Sequence, residues 1–308
     1  MIPPYIFTHG NEVITMSRIT YRGERERNFL KLFDKLCYGH SRWEVWCDFI
    51  SMAAYAISNA VDSHHREERE AAYMRTIERY KPEAQKMFPE MFSEIVMSLE
   101  ENPDQDCLGD IYMRLELNNS NHGQYFTPYH VCHLMSEVTS GDIKKEIEER
   151  GWISVCDPCV GAGAMFVAHA NTCIKQGANH QMHVLYVGQD IDPIVAKMAY
   201  IQLSLLGCAG YICIGNSLTE PLTGHCLFPD MERDIYITPM FYSDAWEGRR
   251  QWAIVEHLIG KEMPTQDHDE AERVPPEGNK AALATDAEPY LDSYVIETVP
   301  VCEQMSLF

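Results

Sequence analysis

The sequence predicts an α/β fold with a doubly wound parallel sheet, preceded by a helical domain and followed by an acidic tail. Strand-like and helical runs alternate between residues 123 and 260, apolar residues recur at helical spacing before residue 115, and apolar periodicity is lost beyond residue 261. The 308 residues suffice for one core and a smaller accessory domain. We therefore divide the chain into a helical domain (1–115), an α/β domain (116–260) and a tail (261–308).

Helices are expected throughout residues 24–115. Apolar side chains between Phe29 and Cys37 start an i, i+3, i+4 pattern, and Trp43–Val61 continues as a mostly apolar, buried helix. His64–Tyr80 is charged on most faces, which is typical of a solvated helix. Methionine and aromatic residues recur at helical spacing across Met87–Leu99, where such a stripe indicates core packing rather than a ligand site.

The central region predicts alternating strands and helices. Its short runs of β-branched and aromatic residues are Ile153–Asp157, His183–Asp190, Tyr211–Gly215 and Asp234–Ile237. The helical stretches between and after them are Ala164–Gln176, Pro193–Leu206 and Ala245–Ile259. This alternation implies βαβ units and a parallel sheet. Asp192 followed by Pro193 fits a helix start, with Asp as the N-cap and Pro at the first helical position.

The tail carries much of the net charge of −21. From Glu262 onward it has eleven acidic residues and two basic ones, a composition that predicts disorder. Only Ser293–Val301 has the pattern of another strand, so the sheet is expected to be short. Proteins neutralise DNA phosphates with Lys and Arg, so an acidic chain that acts on DNA would need a local basic groove or a partner.

The chain is expected to be a reduced, cytoplasmic protein without a membrane segment. Its eleven cysteines are scattered and odd in number, and the first residues lack the pattern of a signal peptide. The longest apolar stretch, Phe49–Val61, is too short to span a bilayer. Cys156 and Cys159 form a C-x-x-C pair without a second pair at matching spacing, so no metal site is expected.

The most specific segment is the glycine loop that follows the first predicted strand. Asp157 ends the strand, and Gly161 and Gly163 open the next helix. Glycines let the backbone approach a ligand, and a helix N-terminus presents free N–H groups. A dinucleotide-binding oxidoreductase is the alternative, but it would have a third glycine where this chain has Phe166. The Asp-Pro pair before the glycines also argues against a pyrophosphate site.

Several segments, in order, resemble the adenine-N6 DNA methylases, especially the modification subunits of type I restriction systems. Asp157–Gly163, D-P-x-x-G-x-G, resembles their motif I. Asp106–Tyr112 followed by Gly123–Pro128 resembles the family segment beside the methionine end of the cofactor. Gly188–Asp192 resembles the second motif and Gly215–Leu218 the third. The resemblance covers roughly residues 106–241.

This resemblance implies a Rossmann-like methyltransferase core that binds S-adenosylmethionine. Asp190 would accept hydrogen bonds from both ribose hydroxyls, and the Asn216 side-chain oxygen would contact the adenine amino group. The residues implied to contact the cofactor are Phe126, Thr127, Pro128, Asp157, Gly161, Gly163, Asp190 and Asn216.

The resemblance also implies a catalytic segment at residues 238–241. The family has [N/D/S]-P-P-[F/Y/W] there, which accepts the N6 hydrogens of a flipped-out adenine and stacks on its ring. This chain keeps Pro239 and Phe241, but Thr238 replaces the usual Asn and Met240 replaces the second proline. Two functions therefore stay open: a DNA adenine-N6 methyltransferase that takes its specificity from a partner subunit, or a degenerate homologue that binds cofactor in a regulatory role.

The last five residues suggest a further partner. Gln304–Phe308 resembles the Q-L-[S/D]-L-F pentapeptide with which bacterial replication and repair proteins dock on the β sliding clamp. The Gln304 amide would bind backbone groups, and Met305, Leu307 and Phe308 would enter an apolar cleft. Because the sliding clamp is a ring that already encircles the duplex, binding to it would bring an acidic protein to DNA.

Overall fold

A computed structural model describes residues 23–115, 117, 126–258 and 305–306. The expected tail, 261–308, lies outside these residues apart from Met305 and Ser306. The helices are α1 (Glu24–Leu36), α2 (Arg42–Asn59), α3 (Arg66–Ile77), α4 (Pro82–Gln85), α5 (Met87–Glu101), α6 (Cys107–Arg114), α7 (Tyr129–Thr139), α8 (Ile143–Arg150), α9 (Ala164–Lys175), α10 (His180–His183), α11 (Pro193–Leu205) and α12 (Asp244–Leu258). The strands are β1 (Ile153–Asp157), β2 (Val184–Asp190), β3 (Ala209–Ile214), β4 (Ile235–Ile237) and β5 (Met305–Ser306).

The helices expected before the sheet are present, and their apolar faces meet. Ser41 starts α2 as its N-cap, with the side-chain oxygen accepting from the Glu44 N–H at 3.1 Å. The Phe29 ring of α1 packs edge-on against Phe49 and Trp46 of α2, with centroids 5.2 and 6.3 Å apart. None of the described helices combines the length and the apolar composition that a membrane-spanning helix requires.

The α/β class predicted for the central region is confirmed. The strand order is β4-β3-β2-β1-β5, and β1, β2 and β3 pair in parallel through the crossover helices α9 and α11. Asp192 caps α11 as expected, because its carboxylate accepts from the Ile194 and Val195 N–H groups. Parallel strands place their carboxyl ends at one edge of the sheet, and this edge is where loops can form a site.

The fourth strand differs from the prediction of a wholly parallel sheet. β4 runs antiparallel to β3, with Tyr211 opposite Ile237 and Cys213 opposite Ile235. Parallel pairing requires a crossover that carries the chain back along the sheet. The connection across 215–234 contains turns and no helix, so the chain returns along β3 in the opposite direction.

The two faces of the sheet are covered unequally. Tyr186 of β2 belongs to a large core that includes α9, α11 and the helices of the N-terminal region. The neighbouring residues Leu185 and Val187 point to the other face, where a smaller core contains Phe241 and Trp246. That face is covered by the 3-10 turn Pro239–Tyr242 and the start of α12.

A buried arginine joins the helical region to the sheet. Arg69 of α3 is 5% exposed, and its guanidinium donates to the Asp62 carboxylate at 2.8 Å and to the Ile235 carbonyl at 2.6 Å. The Tyr236 ring lies 4.0 Å from the guanidinium carbon. Burial alone would raise the pKa of Asp62, but His65 and Arg69 outweigh burial and hold the pKa below its ordinary value.

The free edge of β1 pairs with the end of the chain. Val155 lies opposite Met305 and Cys156 opposite Ser306 in a short parallel ladder. The strand expected at Ser293–Val301 lies outside the described residues. The end of the tail thus contributes backbone hydrogen bonds to the sheet.

Candidate functional site

A cavity of about 600 Å³ opens at the carboxyl ends of β1, β2 and β3. Three polar residues of its lining lie at these strand ends: Asp157 ends β1, Asp190 ends β2 and Asn216 follows β3. Open α/β sheets bind ligands at this edge, and the volume falls in the range of small-molecule sites. The site therefore follows from the topology of the three parallel strands.

The structure brings together most of the predicted cofactor residues. Those that line the cavity are Phe126, Thr127, Asp157, Gly161, Asp190 and Asn216. Pro128 and Gly163 are not among the lining residues. They begin helices beside the cavity instead, as the N-cap residues of α7 and α9.

Gly163 is required by the backbone and by close packing. Its φ of +91° lies in the left-handed region, and a Cβ there would come within 3.1 Å of the Ala199 Cβ on α11. The glycine loop consequently sits directly on α11. A larger residue would force this loop and α11 apart.

Asp157 is a buried carboxylate at the end of β1. It is 1% exposed, and its Oδ1 accepts from the Cys159 N–H at 2.9 Å. Burial, with a smaller contribution from the neighbouring Asp190 carboxylate, raises the pKa of Asp157 to about 6, although the hydrogen bond from the Cys159 N–H acts to lower the pKa. At neutral pH the cavity therefore holds a carboxylate that gains from a cationic ligand.

Asp190 ties the second strand to the glycine loop. Its Oδ2 accepts from the Gly161 N–H and its Oδ1 from the Asp192 N–H, both at 2.9 Å. Burial raises the pKa of Asp190. A carboxylate has about four acceptor sites, so Asp190 is held in place and can still accept a ligand hydroxyl.

Asn216 is held differently from the expectation. Its Oδ1 already accepts from the Leu218 N–H at 2.9 Å, in a turn that continues β3. The amide nitrogen is thus the group better able to reach a ligand. Ile191 and Leu218, 65% and 92% exposed, flank the polar residues at the cavity rim.

Asp106 opens a segment that the resemblance places beside the cofactor, but it was not among the predicted contact residues, and the structure places it in the cavity wall. Asp106 is 3% exposed, and its Oδ1 accepts from the Gly109 N–H at 3.0 Å and from the Gln202 Nε2 at 2.9 Å. An Asp directly before a helix is ordinarily a cap, and Asp106 does cap α6. Its second position, in the wall of the cavity, depends on α6 and α11 meeting, which no local pattern encodes.

The charge of the cavity wall is one-sided. Among the described residues that line it there are three Asp and no Lys, Arg or His. No cluster of three or more His, Cys, Asp or Glu in the described residues could hold a metal ion. The three carboxylates make this wall suited to a ligand that carries a cationic group.

The structure places the predicted catalytic residues away from this cavity. Because β4 is antiparallel, its end lies beside the start of β3, and the Thr238 hydroxyl bonds to the Gly210 N–H at 3.0 Å. Thr238 is 0% and Phe241 3% exposed, and neither they nor Pro239 line the cavity. Residues 238–241 have the spacing of the family motif, but the antiparallel direction of β4 places them at the opposite edge of the sheet from the cavity.

The partner-binding residues at the end of the chain fall largely outside the described structure. Gln304, Leu307 and Phe308 lie outside the described residues. The backbone of Met305 pairs with Val155 of β1.

The buried charge of Asp157 predicts a pH-dependent gain in stability from Asp157→Asn. A carboxyl whose folded pKa is raised binds more protons when folded, so its stability contribution is lost as pH rises from about 4 to 6. Asn keeps an acceptor for the Cys159 N–H, so at pH 7.5 urea denaturation should show a gain of about 2 kcal/mol. The gain should shrink toward pH 4.5. The exposed Glu148→Gln change is the control, and equal effects of both variants would contradict the argument.

The sequence matches the model of the N-6 DNA methylase family over residues 103–279, more than half of the chain. No curated protein matches it at a significant level. Among solved structures it resembles the methyltransferase subunit of a type I restriction-modification system from Streptococcus thermophilus, at 16% identity and a TM-score of 0.34, covering 64% of this chain and 41% of that one. It also resembles a protein described as a class I S-adenosylmethionine-dependent methyltransferase from Listeria monocytogenes, at 14% identity and a TM-score of 0.37, covering 77% of this chain and 79% of that one. The chain thus spans about two fifths of the length of the Streptococcus subunit.

Proposed function

Because this chain belongs to the N-6 DNA methylase family, we propose that it binds S-adenosylmethionine and acts in adenine-N6 methylation of DNA with a partner that supplies DNA specificity. The observation that carries the proposal is the cavity at the carboxyl edge of β1, β2 and β3. A glycine loop and strand-end carboxylates line it, in the order that the family motifs require.

The residues of the cavity fit this cofactor. Its volume suits a nucleoside with an amino-acid arm, and its wall of carboxylates suits a ligand that carries a sulfonium and an ammonium group. Asp190 would accept from the ribose hydroxyls, with the Gly161 N–H keeping the carboxylate in position. Ile191 and Leu218 would cover the faces of the adenine, and the Asn216 amide nitrogen would donate to a ring nitrogen.

The methionine arm would lie toward the glycine loop and the N-terminal side of the cavity. Phe126 lines the cavity beside Gly161 and packs on Tyr112, with ring centroids 5.3 Å apart. Asp157 and the start of α9 would face the arm. When bound, the cofactor supplies an activated methyl group, and these residues would orient it and exclude water.

A second candidate function is cofactor binding without chemistry. It is favoured by the location of Thr238–Phe241, which lies beside the start of β3 and not at the cavity. Under this alternative the chain would regulate or scaffold a methylase. Under the first proposal, the groups that hold a flipped adenine come from a partner or from residues outside the described ranges.

A methyl-transfer assay distinguishes the two candidates. The chain would be incubated with S-adenosylmethionine labelled in the methyl group and mixed-sequence DNA, with and without host extract, and the DNA digested to nucleosides. We expect label in N6-methyladenine, dependent on extract and lost with Asp190→Ala. Cofactor binding without label under any condition would favour the second candidate.

We further propose that the terminal pentapeptide, Gln304–Phe308, docks on the bacterial β sliding clamp. The supporting observation is its sequence, with an amide followed by apolar anchors. Docking would require Met305 and Ser306 to leave β1, so the two pairings would compete. Fluorescence polarisation of the labelled peptide with purified clamp should give saturable binding that Leu307→Ala with Phe308→Ala removes. Unchanged binding by that double variant would contradict the docking.

A further inference from the structure

The charged residues of the cavity wall suggest how the site distinguishes S-adenosylmethionine from the product of methyl transfer, S-adenosylhomocysteine. We infer that Asp106 is a specificity-determining residue that makes the pocket select the positively charged sulfonium form of the ligand. The inference rests on the proposed function, because it concerns the same cavity. It adds Asp106, the N-cap of α6, to the carboxylates at the ends of β1 and β2.

Asp106 is fixed in the wall by the fold and is not a mobile surface acid. The Gln202 side chain of α11 donates to the Asp106 Oδ1 and to the Ala162 carbonyl of the glycine loop, at 2.9 and 2.8 Å. The same side chain accepts from the Leu108 N–H at 3.1 Å. Gln202 is 0% exposed, so its buried amide fixes the position of the Asp106 carboxylate relative to the glycine loop.

Gly109 makes room for this carboxylate. A Cβ at Gly109 would overlap the Asp106 side chain, which folds over the first turn of α6. Asp106 therefore keeps its orientation only while residue 109 is glycine. This gives two ways to test the residue: neutralising its charge with Asp106→Asn, or displacing it with Gly109→Ala.

The chemistry of methyl transfer changes the ligand by one unit of charge. S-adenosylmethionine has a sulfonium, an ammonium and a carboxylate, whereas S-adenosylhomocysteine has lost the methyl group and carries a neutral thioether. Asp106, Asp157 and Asp190 surround the cavity, and no described lining residue carries a positive charge. Charges interact more strongly at such a partly buried site than in water, so the substrate form should bind more tightly than the product form. Product would then leave readily.

Calorimetric titration of the full chain with each ligand tests this inference. For the wild-type protein we expect S-adenosylmethionine to bind at least tenfold more tightly than S-adenosylhomocysteine. Asp106→Asn should reduce this ratio at least threefold, mainly by weakening S-adenosylmethionine, because Asn can keep both hydrogen bonds at Oδ1. Gly109→Ala should act in the same direction. The exposed Glu148→Gln change removes one negative charge elsewhere and should leave the ratio unchanged.

A ligand series on the wild-type protein makes the test independent of how the variants fold. Sinefungin, in which a carbon that bears a cationic amine replaces the methylated sulfur, should also bind more tightly than S-adenosylhomocysteine. Equal affinity for all three ligands, or a ratio that Asp106→Asn and Gly109→Ala leave unchanged, overturns the charge selection while the cofactor site stands. Absence of binding by every ligand overturns the proposed function together with this inference.

Discussion

Replacing Arg69 by Met is expected to destabilise the fold by about 3–5 kcal/mol, the cost of removing one partner from a buried ion pair. Asp62, which is 2% exposed, would keep its charge without the guanidinium. The Ile235 carbonyl would lose a donor, and the Tyr236 ring would lose its cation. The midpoint of urea denaturation measures the effect.

Arg66→Met on the same helix is the matched control for this prediction. Arg66 is exposed, so its replacement should change the free energy of unfolding by less than about 0.5 kcal/mol. If Arg69→Met and Arg66→Met were equally stable, Arg69 would not link α3 to β4 as described. Met retains most of the aliphatic volume, so a cavity cannot account for the expected loss.

Phe241→Ala should cost about 3–5 kcal/mol of stability, as expected for an aromatic side chain removed from a core. Phe241 packs perpendicular to Tyr211, at a centroid distance of 6.2 Å, within the smaller core. Arg250 lies 4.3 Å above the ring and donates to the Phe241 carbonyl at 2.7 Å. Denaturation monitored by circular dichroism measures the loss.

A catalytic Phe241 would behave in the opposite way. A ring that stacks on a target base would be dispensable for folding and essential for methyl transfer, with Phe241→Leu as damaging as Phe241→Ala. The packed position predicts that Leu restores most of the stability. Phe228→Ala, the same change at a residue that is 42% exposed, should cost about 1 kcal/mol or less.

The local patterns of the sequence predicted the elements closely. β1 has the predicted bounds, Ile153–Asp157, and α9 ends one residue before the prediction. Apolar periodicity, the Asp192-Pro193 cap and the glycine loop are local signals, each readable from a few neighbouring residues. Three strands that alternate with two crossover helices allow few topologies. The parallel pairing of these strands and the ligand-binding edge of the sheet could therefore be predicted.

The sequence did not predict the direction of β4 or the contacts between residues that are far apart in the chain. The run 235–237 predicts a strand, but nothing in it says whether the strand pairs with β3 or β1, or in which direction. The helix-free connection across 215–234 was the available signal for an antiparallel return. Asp106 was not among the predicted contact residues for a similar reason, since its place in the cavity wall requires Gln202, 96 residues away.

The central claim is that the cavity at the carboxyl edge of the sheet is an S-adenosylmethionine site. Calorimetric titration of the intact chain with S-adenosylmethionine tests it most directly. We expect saturable binding of one molecule per chain, weakened by Asp190→Ala by about 1–3 kcal/mol, the cost of leaving polar partners unsatisfied. No saturable binding by the folded wild-type chain, or binding that Asp190→Ala leaves unchanged, would contradict the account.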